Sequence, residues 1–237
     1  PLFLANLEIC VKETGRIKGW DYFSPGDIVY VNNSYFTGTH LNDATVFAPI
    51  FYKNKRIGFS ASRAHWMDVG AKDIGLPMDS VEIYQEGFRW DPVKIYQKGK
   101  PNNEIINFLK MNGRLSELLE GDLNAQIAAG KTGEKRLITM VKRYGLKTLK
   151  ESKEEIFRQS EVLEKKAVCG VILKLLDSIN GLDCLSDMSS ITSKPTPPIS
   201  LFFKANAAFF SLIRPPLAQL INIALFFILE NSGFENK

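Results

Sequence analysis

Cysteine and histidine are scarce. The 237 residues hold 3 of the first and 2 of the second. Cys10, Cys169 and Cys184 form no C-x-x-C pair, and an odd, widely spaced set is no disulfide framework. A reducing, cytoplasmic setting is the default for such a chain. Charge of one sign is also lacking: the net charge is +4, with no basic stripe or reading motif. That excludes a nucleic-acid partner. Long apolar runs are missing too. The uncharged piece Leu217–Leu229 has 13 residues. As a helix it would reach about 20 Å, short of the roughly 30 Å hydrocarbon core. Lys204 and the Arg214-Pro215-Pro216 break stop a longer helix, so a membrane span is not expected and a buried helix or a poorly folded tail is. No signal peptide opens the chain and no internal repeat runs through it. It starts at Pro1, and PLFLANLEICVKE reads as the middle of a helix, so the chain is expected to be a fragment.

Charged residues crowd into residues 1–167. The last 70 residues hold only 5 Lys/Arg and 5 Asp/Glu, together with the loop-like stretch SSITSKPTPPIS and an apolar end. This divides the chain into 1–167, a partial domain, and 168–237, a divergent tail. Within the first part, Asp27–Val31 reads as a strand after the Pro25-Gly26 turn. Ala44–Tyr52 and Arg56–Ala61, joined by Lys53-Asn54-Lys55, read as an antiparallel hairpin. Val81–Tyr84 and Pro92–Tyr96 read as two further strands around Gly87. Leu115, Leu118, Leu119, Leu123 and Ile127 have helical spacing. Leu137, Ile138, Val141 and Tyr144 predict a second helix ending at Gly145, and Glu151–Lys166 a third, charged one. The fold class is α+β: a small antiparallel sheet followed by packed helices, with an atypical apolar C-terminal tail.

Both histidines lie in short polar stretches at the open end of the predicted hairpin. Gly38-Thr39-His40-Leu41-Asn42-Asp43 precedes its first strand. Ser62-Arg63-Ala64-His65-Trp66-Met67-Asp68 follows its second. A hairpin brings its entrance and exit together, so His40, Asp43 and His65 can converge, with Asp68 nearby. Two imidazoles and a carboxylate suit Mn, Fe or Zn with open positions. An open position lets the metal polarise a substrate oxygen or lower the pKa of a water. On these residues alone the bland reading stays open: a histidine beside an aromatic residue is often just packed and hydrogen-bonded.

Several motifs in unbroken order extend the argument. The runs PGDIVYVNNSYFTGTHLNDATVFAPIF, IGFSASRAHWMDVGAKDIG, VEIYQEGFRWDPVKIY and GDLNAQIAAGKTGEKRL resemble the hydantoinase B/oxoprolinase family, from about Pro25 to about Glu161. The large subunit of acetone and acetophenone carboxylases looks similar over the same motifs. The resemblance implies that His40, Asp43 and His65 are the metal ligands, with Asp43 and His65 also catalytic. It implies a hydantoinase A-type partner subunit that binds ATP, no nucleotide site on this chain, and a cyclic amide or ketone as substrate. The sequence departs from the family at Asn32-Asn33-Ser34-Tyr35 (usually Asn-Asp-Pro-Tyr) and at Thr37-Gly38 (usually Gly-Gly). It lacks the family's N-terminal segment, and the likeness fades after Ser160-Glu161.

The expected activity is ATP-dependent cyclic-amide hydrolysis, of N-methylhydantoinase or 5-oxoprolinase type. A ketone carboxylase subunit is the alternative, and an inactive truncated remnant is a third reading. Candidate substrate contacts are Arg63, Glu82, Glu86 and Gln126. For Arg63 a salt bridge to Asp43 or Asp68, and for the two glutamates a solvated turn, remain equally open. Asp122 reads as a helix cap. Trp66 and Trp90 read as core or cavity wall. Gly130-Lys131-Thr132 lacks the upstream glycine of a phosphate loop and follows a helix rather than a strand.

Overall fold

The computed structural model describes residues 2–37, 40–180 and 224–229. In chain order the elements are α1 (Leu2–Lys18), β1 (Ile28–Val31), α2 (Ser34–Thr37), β2 (Asp43–Tyr52), β3 (Lys55–His65), β4 (Val93–Gln97), β5 (Lys100–Pro101), α3 (Asn103–Met111), α4 (Ser116–Tyr144), α5 (Leu146–Asn180) and β6 (Ala224–Leu229). Two compact units divide the chain, residues 1–143 with 217–237 and residues 144–216. The linker SSITSKPTPPIS, Cys184 and most of the apolar tail lie outside the described residues.

The first unit is built on a six-stranded antiparallel sheet in the order β5-β4-β1-β2-β3-β6. Helices cover both faces, which is why β1 can be apolar at every position: all four of its residues are buried. Val29 and Val31 face α1, packing with Leu7, Cys10, Val11, Phe47 and Phe59. Ile28 and Tyr30 face the opposite layer, where Trp66, Leu109 of α3, and Leu119, Leu123 and Ile127 of α4 close the core. At about 25 cal/mol per Å² of apolar surface removed from water, these two layers dominate the stability of the unit.

The hairpin is longer than its apolar runs suggest. Lys53 and Asn54 both take positive φ, 51° and 60°, the two-residue turn whose twist matches paired strands. Pairing then runs back from Tyr52↔Lys55 to Asp43↔His65, with one irregularity at Ile50/Phe51. His65 is therefore the last residue of β3 rather than part of a loop after it.

Three expectations are corrected. Val81–Tyr84 is no strand. Residues 83–86 form a 3-10 turn, closed locally by Val81 N–H donating to the Gln85 side chain and by Gln85 N–H donating to Glu82 O. The chain then reverses at Gly87, φ 115°. A Cβ there would lie 2.3 Å from Val69 O, so only glycine fits. The two helices expected between residues 115 and 144 are one, because the buried stripe through Leu119, Leu123, Gln126, Leu137 and Val141 never loses phase. Gly145, φ 83°, ends it. Finally, residues 224–229 form a strand and not a helix, laid along the outer edge of β3 from Gly58↔Leu229 to Arg63↔Ala224. A short Phe- and Ile-rich run suits a free strand edge. No described helix is long and apolar enough to cross a membrane. The composition shift near residue 167 falls inside α5, which runs unbroken from Leu146 to Asn180.

Candidate metal centre

Asp43 opens β2 and His65 closes β3, and the two are register partners on one face of the sheet. His40 stands just before, on the turn that leads into β2. Buried polar contacts fix that turn. The Asn32 amide donates to Leu41 O and Phe88 O, both at 2.8 Å, while its oxygen accepts Trp90 N–H at 2.8 Å. Asn42 O accepts both Ala44 N–H and Trp66 N–H, at 2.9 and 2.8 Å.

These constraints bring His40, Asp43 and His65 together. One ligand atom of each lies within 4.8 Å of the other two, and they form the metal-competent group found among the described residues. His65 Nδ1 is 2.5 Å from Asp43 Oδ1, and His40 Nδ1 is 3.5 Å from Asp43 Oδ2. His40 N–H also donates to Oδ2, at 3.0 Å. The Asp43 side chain is fully buried, whereas those of His40 and His65 are 52% and 39% exposed.

Asp43 Oδ1 is buried and accepts no hydrogen bond, although His65 Nδ1 is so close. A buried carboxylate oxygen left in that state is costly unless a cation completes it. Two imidazole nitrogens converge on the same side. The donor set therefore fits a divalent ion with solvent-facing positions left over. Asp68, expected nearby, is turned elsewhere. Its oxygens accept from Arg114 Nη2 and Nε, at 2.7 and 2.8 Å, and from the backbone of Arg114 and Gly70. The Arg114 hydrogen bonds hold its carboxyl below the usual carboxylate range.

The proposed substrate contacts scatter. Arg63 lies two register pairs inside the site, on the same face, and is buried. Its Nε donates to Thr45 Oγ1 at 2.8 Å and its Nη2 to Cys10 Sγ at 3.0 Å, beneath α1. Burial pushes the Cys10 thiol up, against the opposing pull of Arg63. Gln126 is fully buried on α4. Its amide nitrogen donates to Ala44 O (3.0 Å) and Ser62 O (3.3 Å), and its oxygen accepts Trp66 Nε1 at 2.9 Å. It pins α4 to both strands of the hairpin. Glu82 is exposed before the 3-10 turn. Glu86 lines a cleft of about 220 Å³ together with His40.

Trp66 and Trp90 are packed as expected, Trp66 stacked on Tyr30 and Trp90 on Phe108. Asp122 is not a cap. It is the seventh residue of α4, buried, and burial pushes its carboxyl up. Gly130-Lys131-Thr132 lies within α4, without a phosphate-loop turn. Sequence reasoning missed the brace formed by Asn32 and the tie between Asp68 and Arg114. Asparagine in the polar run after β1 was the one signal available for the first.

Residues 1–193 match the model of the hydantoinase B/oxoprolinase family. A relative from Pseudomonas sp. strain NS671, described as a candidate D-/L-hydantoinase component of B type, is 36% identical over 150 residues. The aligned region is 62% of this chain and 25% of the relative. Among solved structures, the ATP-dependent caprolactamase from Pseudomonas jessenii is 34% identical with a TM-score of 0.58, covering 64% of this chain and 26% of that one. A nucleotide-free acetone carboxylase, 19% identical over 62% of this chain and 20% of its own, has a TM-score of 0.56 and shares the fold. The chain thus spans about a quarter of the length of the relatives it matches.

Proposed function

The chain belongs to the hydantoinase B/oxoprolinase family, and from that premise we propose that it carries the metal centre of an ATP-dependent cyclic-amide hydrolase of hydantoinase or 5-oxoprolinase type. The observation behind this reading is the convergence of His40, Asp43 and His65 around a buried carboxylate oxygen that accepts no hydrogen bond. Bound there, a divalent Mn, Zn or Fe ion supplies electrophilic polarisation of a substrate oxygen.

The chain's own residues divide the remaining work. Asp43 and His65 form the catalytic pair at the hairpin's open end, and His40 completes the ligand set from the turn. Arg63 and Gln126 act as positioning residues, one under the sheet face and one across it, because the donors described above are engaged with the hairpin and α1. Glu86 is the substrate contact, since it shares a cleft with His40. Glu82 is assigned no contact. Hydrolysis consumes one water. The ring C–N bond breaks, the carbonyl carbon takes the hydroxyl and the ring nitrogen takes the proton.

In this reading ATP is used by a partner of hydantoinase A type, and the complex is cytoplasmic. Two features support the separate ATP-binding partner: relatives are described as subunits, and Gly130-Lys131-Thr132 lies inside a helix.

Metal analysis of the purified chain beside a His65→Ala variant tests the centre. The wild type is expected to retain a divalent metal that the variant loses. Equal metal content in the two would sink the assignment and favour an inactive remnant.

A further inference from the structure

The cleft that joins the metal centre to the loop before β4 has a chemical bias. Its walls include His40, Leu41, Leu76, Met78, Ser80 and Glu86, around a volume of about 220 Å³. That is room for one small ring, with the rest of any larger molecule left in solvent. The apolar wall comes from Leu41, Leu76 and Met78. Glu86 is half-buried and is the carboxylate lining the cleft. No lysine or arginine lines it among the described residues. The cations of this loop are engaged elsewhere, as is Arg114 nearby. Lys72 Nζ is 2.7 Å from Asp79 Oδ1, Arg89 lies 4.9 Å over the Tyr35 ring, and Arg114 is held by Asp68.

The charge balance follows from this lining. Of the side chains that line the cleft, Glu86 is the one with a fixed charge, and that charge is negative. A neutral ligand enters beside it without a like-charge penalty, whereas a ligand carboxylate meets Glu86 as a like charge in a partly dehydrated cleft, with no lysine or arginine in the lining to receive it. A cyclic amide also presents a cis N–H beside its carbonyl, and an ionised glutamate is an acceptor only.

Resting on the cyclic-amide reading above and narrowing it to the hydantoinase type, we infer that this cleft takes a small, uncharged cyclic amide, with Glu86 accepting the ring N–H, and disfavours rings that bear a carboxylate, 5-oxoproline among them. Glu86 thereby sets substrate charge, a role the metal ligands do not play.

Saturation-transfer NMR on the full 237-residue chain, with and without added Zn2+, tests this with matched probes: 2-pyrrolidinone, 5-oxoproline, 5-oxoprolinamide and N-methylpyrrolidinone. The neutral rings 2-pyrrolidinone and 5-oxoprolinamide are expected to receive saturation at least about tenfold more strongly than 5-oxoproline. N-methylpyrrolidinone should fall below 2-pyrrolidinone. Glu86→Gln should erase the bias against the carboxylate, and Glu86→Lys should reverse it. The inference is overturned if 5-oxoproline binds as well as the neutral rings, if Glu86→Lys leaves the ratio unchanged, or if no probe receives saturation. The readout needs no metal. If the metal analysis fails while the charge preference persists, the metal reading falls and this one stands.

Discussion

At the scale of single residues, Asp43 decides the most. Its carboxylate is fully buried, takes His40 N–H on one oxygen and leaves the other without a hydrogen bond. In the metal-free chain His65 Nδ1, 2.5 Å away, is the close partner of that second oxygen. With a cation the site becomes a source of stability, by RT ln(1 + [M]/Kd), or about 2.7 kcal/mol at a hundredfold excess over Kd. Asp43→Asn keeps the shape and the acceptor for His40 N–H while removing the charge. Thermal unfolding of the metal-free variant is therefore expected at or above the wild-type temperature. Added Zn2+ should raise the melting temperature of the wild type and not that of the variant. Equal metal-induced shifts in the two would contradict the role given to Asp43. The convergence of these three side chains was legible in the sequence because a hairpin's ends must meet, so spacing alone brings His40 and His65 onto Asp43. The orientation of other polar residues was not legible. Asp68 lies three residues past His65, yet it turns to Arg114, 46 positions away, and no local pattern encodes that pairing.

At the scale of elements, the site depends on a hairpin held at a fixed height above α4, and Gln126 sets that height. Three buried groups rely on it: Trp66 Nε1–H, Ala44 O and Ser62 O. Gln126→Leu fills the volume but leaves Trp66 Nε1–H without its acceptor and takes one donor each from Ala44 O and Ser62 O, at about 1–3 kcal/mol for a buried polar group left unsatisfied. Urea unfolding is expected to show a loss of about 2–3 kcal/mol with little change in the slope. A loss below about half a kcal/mol would mean that the packing of Leu119, Leu123 and Ile127 holds α4 by itself. The hairpin could be read in advance because its polar turn interrupts two β-prone runs. The 3-10 turn at Ile83–Glu86 could not, since VEIY has strand-like residues and only the glycine fit at Gly87 against Val69 excludes a strand. The same limit applies to β6: a short apolar run without polar punctuation fits helix or strand equally well, and the open edge of β3 settles it.

At the scale of the whole molecule, the segment that walls the cleft also carries several of the most exposed apolar side chains among the described residues. Met78, Val81 and Tyr84 are 93%, 87% and 79% accessible, and Ile74 and Leu76 lie nearly half open on the same loop. Exposed apolar side chains that act as one patch drive self-association in water. None of His40, Asp43 and His65 belongs to this segment, and Val81 does not line the cleft, so solubility and the proposed metal binding are separable. The wild-type chain is expected to associate as its concentration rises in light scattering, and Val81→Lys with Tyr84→Lys is expected to suppress that association. Metal content and the melting temperature with Zn2+ should stay as in the wild type, because the ligands are placed by Asn32, Asn42 and the hairpin register rather than by this loop. A variant that turned monodisperse but lost its metal would show that the loop helps hold His40 in place, since both border the same cleft. A wild type already monodisperse at high concentration would show that the exposed side chains are too scattered to act as one patch.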